Sequence, residues 1–263
     1  MFMNQGIVHL IGYVRLLTFF FLAPFLSGNA IPGQLRIAMA FMLSLLVYPT
    51  FASLSAPPGM HIVLWLLFTL AKELLIGILL AYVVSILFWA MLSTGFLLDN
   101  QRGASMAQVQ DAASDESTSI FGSLLHQVTL YIMYSTGAFT HILILPLISY
   151  GVCPPGFAFD AGSADGLLVF MIGQFGRLLT LMLVFSAPIV LICLFCDFAL
   201  GVVNRFSPQL NVFFMSMPIK SALGLAMVIL YLGTLLPLVT RELFEVEVHA
   251  RELWQFLSGN GIR

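Results

Sequence analysis

The sequence predicts a polytopic, all-α membrane protein. Apolar residues fill 60% of the 263 positions and charged residues only 8%, with a mean hydropathy of +1.03. Soluble domains carry roughly a quarter charged residues, so composition weighs heavily against a soluble globular fold. The apolar runs are continuous, and in lipid only helices and closed barrels satisfy their own backbone. A barrel would alternate in segments of about ten residues. These runs do not alternate.

The elements follow in order. A first apolar run, about 7–27, contains Arg15 and ends near Pro24 and the turn-like Ser27-Gly-Asn-Ala-Ile-Pro-Gly33. The N-terminal Met-Phe-Met-Asn-Gln-Gly lacks a basic region, so this run is expected to be retained rather than cleaved as a signal peptide. A second run, about 35–54, stops at Ala56-Pro-Pro-Gly59. The third, 61–98, is too long for one simple crossing, because about 20 residues span the hydrocarbon core. It requires a tilted helix, a helix protruding from the bilayer, or a hairpin. A fourth run covers 120–148 and holds His126, Gly137, His141 and Pro146. Another overlong run, 166–203, contains Arg177, Pro188 and Asp197, and a last run, 212–239, contains Pro218 and Lys220. Residues 240–263 form an amphipathic tail, with Leu243, Ala250 and Trp254 near helical spacing and Glu242, Glu245, Arg241 and Arg251 on polar faces. The reading is one membrane domain, 1–239, followed by that tail.

Charge counting does not give a consistent topology. The connections at 55–60 and 149–165 lack Lys and Arg, which favours the outer side, whereas the Arg205/Lys220 region favours the cytoplasm. One more crossing would then place the Arg-containing tail outside, against the rule.

Between two apolar runs lies Leu98-Asp-Asn-Gln-Arg-Gly-Ala-Ser-Met-Ala-Gln-Val-Gln-Asp-Ala-Ala-Ser-Asp-Glu-Ser-Thr-Ser119, a long stretch of small, amide and acidic residues. In so apolar a chain such a segment faces water, a pore or a partner. Arg15, Lys72, Glu73, Arg177 and Asp197 interrupt the apolar runs. A charge at the bilayer centre costs a few kcal/mol, so each needs a partner or water. These five share no single helix face, and ion pairing within a helical assembly is preferred to a proton relay. Lys72 and Glu73 point about 100° apart on a helix, a poor arrangement for pairing with each other.

Enzyme motifs are missing: there is no His-Glu-x-x-His, phosphate loop or Gly-x-Ser-x-Gly. His126 and His141 sit about 22 Å apart on one straight helix, so they make no metal pair. Cys193 and Cys196 form Cys-x-x-Cys inside an apolar run and read as packing residues, and no cofactor is implied. A formal charge of −2 gives no reason to expect nucleic acid.

The combination Leu98-Asp-Asn-Gln-Arg-Gly103, Leu200-Gly-Val-Val-Asn-Arg-Phe-Ser-Pro-Gln-Leu-Asn-Val-Phe213 and Met217-Pro-Ile-Lys220 resembles the SctT/FliR family, export-gate subunits of type III secretion systems and of the flagellum. The Asp-Asn-Gln-Arg-Gly and Pro-Ile-Lys elements resemble the virulence branch. The resemblance implies a fold of bent helical hairpins, like a fusion of the SctR-type and SctS-type subunits. It implies assembly with SctR-like and SctS-like partners and with an SctU-like switch protein, and a pore for unfolded polypeptides in transit. It places the protein in the bacterial inner membrane, with much of the gate raised toward the periplasm. Motif positions carried over are Asp99, Asn100, Gln101, Arg102, Asp197, Asn204, Arg205, Pro208, Gln209, Pro218 and Lys220. Asp197 and Arg205, about 12 Å apart on a straight helix, are assigned to assembly contacts with partners other than each other.

The family also has a loop that plugs the closed channel. By position it maps to Gly103, Ala104, Ser105, Met106, Gln108, Gln110, Asp111, Asp115 and Glu116. Small residues suit a narrow lumen, the glutamines offer hydrogen bonds across it, and the acidic residues keep the loop soluble. An ordinary solvent loop is the plainer alternative. A secondary transporter is the competing function class, because intramembrane charges and Pro/Gly-broken helices are signs of one. A transporter would bind solute when purified alone; a gate subunit would depend on its partners.

Overall fold

The computed structural model describes residues 2–26, 31–51, 61–103, 119–155, 164–207, 209 and 211–257. Seven helices run in order among them: α1 (Phe2–Leu22), α2 (Gly33–Phe51), α3 (Ile62–Gln101), α4 (Ile120–Ser135), α5 (Ala138–Val152), α6 (Ala164–Phe206) and α7 (Val212–Leu257). The all-α membrane fold is as expected. Three helices are long and apolar enough to cross a membrane, or four if α4 and α5 are taken as one broken span.

The hairpin alternative for the overlong runs falls. The runs at 61–98 and 166–203 each lie in one helix, α3 of 40 residues and α6 of 43, and α7 has 46. About 20 residues span a hydrocarbon core, so each has about twice the residues one crossing needs. The last run and the tail share α7, which continues unbroken through residue 240. Pro188, Pro218 and Pro237 lie inside helices without ending them. The fourth run, by contrast, divides at Thr136-Gly137. There the Thr136 N–H closes the last turn of α4 on Ile132 O, and Gly137 takes φ +76°, a left-handed conformation that ends the helix.

The described residues fall into two compact units. The first comprises parts of Met1–Ile86, Gly137–Phe175 and Phe244–Arg263, the second parts of Leu87–Thr136 and Gly176–Leu243. In the first, α1 packs on α2 and α5. Gly77 lets α3 approach α1 closely, for a Cβ there would lie 2.7 Å from the Arg15 carbonyl oxygen. Ile11, Leu16, Phe19, Phe20 and Leu26 are fully buried, with the Phe19 ring edge-on to Phe20 and Phe25. In the second, Gly95 of α3 faces Gly122 of α4 with backbone against backbone, so that a Cβ on Gly95 has no space.

Candidate functional site

The polar segment leaves α3 and enters α4 within the second unit, and both ends of it are built from identifiable local chemistry. Arg102 N–H donates to Leu98 O at 3.2 Å, and Gly103 N–H donates to Asn100 O at 3.1 Å. Gly103 has φ +76°, so α3 ends on a left-handed glycine, a common terminator because it lacks a Cβ. At the other end Ser119 has extended backbone, φ −64° and ψ 122°, and its Oγ accepts from Gly122 N–H at 2.8 Å. That is an ordinary serine N-cap for α4.

Asp99 joins the two ends. Its Oδ2 accepts from Ser119 Oγ at 2.5 Å and from Phe121 N–H at 3.2 Å. Its Oδ1 pairs with Arg102, whose guanidinium lies 4.2 Å from the centroid of the Phe121 ring. The carboxylate is buried, and it stands where the unpaired first N–H groups and the dipole of α4 favour negative charge. At the C-terminal end of α3 the complementary arrangement appears. Lys220 Nζ donates to Gln101 O at 3.4 Å and pairs with Asp197. The same stretch of α7 lies close by: a Cβ on Gly103 would meet the Met217 side chain at 3.4 Å, and one on Gly224 would meet the Arg102 stem at 3.7 Å.

Asp99, Arg102, Gly103, Asp197 and Lys220, far apart in sequence, therefore meet around the base of the polar segment. Asp197 pairs with Lys220 rather than Arg205, as its spacing required. Asn100, Asn204, Arg205, Gln209 and Pro218 are exposed and Gln101 is half-buried. Ala104, Ser105, Met106, Gln108, Gln110, Asp111, Asp115, Glu116 and Pro208 lie outside the described residues. Ser119, Phe121, Gly95 and Gly122 belong to the same site and were not anticipated. Of these, Ser119 was readable, as a serine directly before an apolar run.

A second polar cluster lies in the first unit, where Arg15 of α1 is fully buried. Its Nε donates to Glu73 Oε2 at 2.7 Å, Nη1 to Ser149 Oγ at 2.9 Å and Nη2 to Cys153 O at 2.8 Å. The guanidinium also stacks at 4.2 Å on Tyr150, whose hydroxyl donates to Gly12 O. Lys72 Nζ donates to Pro155 O at 2.5 Å and stands 3.6 Å from Glu73 Oε1. The Lys72–Glu73 contact is a poor pairing, as expected, since Glu73 Oε1 accepts no hydrogen bond. Three of the five charges nevertheless meet in this cluster, from two helices rather than from one helix face. Arg177 pairs with Glu242 at 2.5 Å. All five intramembrane charges are held in ion pairs, the reading preferred from sequence. His126 and His141 are each edge-on to a phenylalanine, Phe88 and Phe244 respectively.

Residues 7–246 match the family of bacterial export proteins, family 1. The chain belongs to that family. It is 36% identical over 219 residues to Yop proteins translocation protein T of Yersinia pestis, covering 82% of each chain. It is 30% identical over 227 residues to surface presentation of antigens protein SpaR of Salmonella typhimurium, covering 86% of this chain and 83% of the other. Flagellar biosynthetic protein FliR of Bacillus subtilis is 28% identical over 241 residues, 91% of each. The SctT/FliR resemblance holds, and the higher identities fall on the virulence-secretion side of this export family.

Proposed function

We propose that the chain is a structural subunit of a type III secretion export gate, assembling with SctR-like and SctS-like subunits into a pore for unfolded polypeptides in the bacterial inner membrane. One observation carries the subunit reading. The apolar faces left uncovered on α6 and α7 are longer than a hydrocarbon core. Within the second unit they run on α6 from Leu179 (41% exposed) to Phe206 (81%), and on α7 from Phe214 (69%) to Leu236 (39%). Those stretches measure about 40 Å and 33 Å along the helix axes, against a hydrocarbon core of about 30 Å. A usual tilt of about 20° removes little of the excess on α6. Protein partners supply the remaining cover, in keeping with a gate partly raised toward the periplasm.

Within that assembly the segment at about 103–117 plugs the closed channel, and the site around Asp99 anchors it. Deleting residues 104–114 is expected to raise ion conductance of the assembled complex in planar bilayers. Unchanged conductance in a complex of normal composition refutes the plug. Co-purification from cells making the whole apparatus tests the subunit assignment: a tagged chain that comes down alone, stable and solute-binding, would return the secondary transporter to first place.

A further inference from the structure

We propose that Asp99 is the positioning residue of the polar segment: one carboxylate grips the helix that leads into residues 104–118 and the helix that leads out, and so fixes the separation of the segment's two ends. The functional consequence rests on the plug reading above; the grip itself does not.

The two oxygens divide the work. Oδ2 serves α4 alone, accepting from Ser119 Oγ and Phe121 N–H, while Oδ1 serves Arg102 at the exit of α3. Among the described residues, the Arg102 Nε has no hydrogen-bond partner. Among the described residues the guanidinium meets the Asp99 carboxylate and the face of Phe121, which itself follows the α4 cap. Removing the carboxylate takes a contact from each end at once. The Gly95–Gly122 backbone contact also holds the two helices together, one turn before Asp99 on α3 and beside Phe121 on α4. Asp99 is thus placed to set where the segment starts and finishes without being needed for α3 and α4 to meet. Asparagine separates the two halves of the grip, since its carbonyl oxygen can replace Oδ2 while its amide cannot attract Arg102.

The test uses the full chain isolated from cells producing its whole secretion apparatus, with a nitroxide on Ser114→Cys. Cys153, Cys193 and Cys196 are buried, which directs the label to the new thiol. In Asp99→Ala the label's rotational correlation time is expected to fall at least twofold, with Asp99→Asn and Ser119→Ala intermediate. Where Asp99→Ala does not yield a complex, Asp99→Asn and Ser119→Ala carry the comparison. A spectrum unchanged in all assembled variants overturns the proposal. Conductance is recorded alongside for each variant and for the 104–114 deletion. Leak in both the deletion and Asp99→Ala supports grip and plug together. A mobilised label with no leak in the deletion leaves the grip standing and removes the plug. A leaking deletion with an unmoved label removes the grip alone.

Discussion

Arg15 shows how this chain carries charge through apolar surroundings. Its guanidinium has partners for each nitrogen, drawn from α3, α5 and the turn after α5. With Lys72 the cluster holds two cations to one anion. The surplus positive charge sits on the carbonyls of Cys153, Pro154 and Pro155, where the C-terminal dipole of α5 is negative. Glu73→Ala leaves a buried cation without its counter-ion and is expected to cost about 3–5 kcal/mol. Thermal unfolding in detergent should show the loss, and the volume-matched pair Arg15→Met with Glu73→Leu should recover much of it. Beside the cluster, burial pushes the Cys153 thiol above its ordinary value of 9.0, while Arg15 and Lys72 pull it down. A raised value means that the neutral thiol is the stabilised form. Its contribution is complete below 9.0 and fades as pH rises through the folded value. Iodoacetamide at pH 8 is accordingly expected to spare Cys153 in the native protein and modify it in dodecyl sulfate, as mass spectrometry can record. The sequence marked Arg15 and Glu73 as charges needing partners but did not supply the partners. Ser149 and the Cys153 carbonyl lie more than 130 positions downstream, beyond the reach of periodicity.

At the level of helices, two glycines of α3 make different demands. Gly95 needs the absence of a side chain, because the backbone of Phe121 and Gly122 occupies the space and cannot rotate away. Gly103 needs its left-handed backbone, whereas a Cβ there would meet only the flexible end of Met217 at 3.4 Å. Gly103→Ala is expected to cost about 1–2 kcal/mol in backbone strain. Gly95→Ala is expected to cost more, by forcing α3 and α4 apart, and melting temperatures of the two variants measure the order. Ser119→Ala should remove about 1 kcal/mol of capping. The cap and the left-handed glycine are short-range devices and therefore legible. Gly95 is one of 21 glycines, and nothing local separates it from the rest; its role exists only once another helix arrives. Gly137 was visible as a glycine inside an apolar run, yet the run's continuous hydrophobicity concealed that it ends one helix and begins another.

On the scale of the whole molecule, burial is uneven. The most apolar window of α3 is 72% buried within the chain, while those of α6 and α7 are only 33% and 22% buried. The first is core; the others are mostly surface within the chain. The chain produced alone is expected to elute as polydisperse material in mild detergent and to become monodisperse when the other gate subunits are produced with it. Light scattering on the eluted peaks decides this. Overlong apolar runs were the readable sign of α3 and α6, since a run of nearly 40 residues exceeds what a bilayer needs. Which run would be buried inside the chain was not readable, because lipid-facing, partner-facing and core surfaces draw on the same apolar residues.

The saturated guanidinium of Arg15 also imposes an order on biogenesis. Its carboxylate partner is 58 residues downstream and its serine partner 134. At synthesis rates of about 5–20 residues per second, Ser149 follows Arg15 out of the ribosome by roughly 7–27 s. Throughout that interval the first helix holds a cation that its own sequence cannot neutralise. Its final seating waits for α5, with α6 and α7 still to follow, so α1 settles only after α2 and α3 have been made.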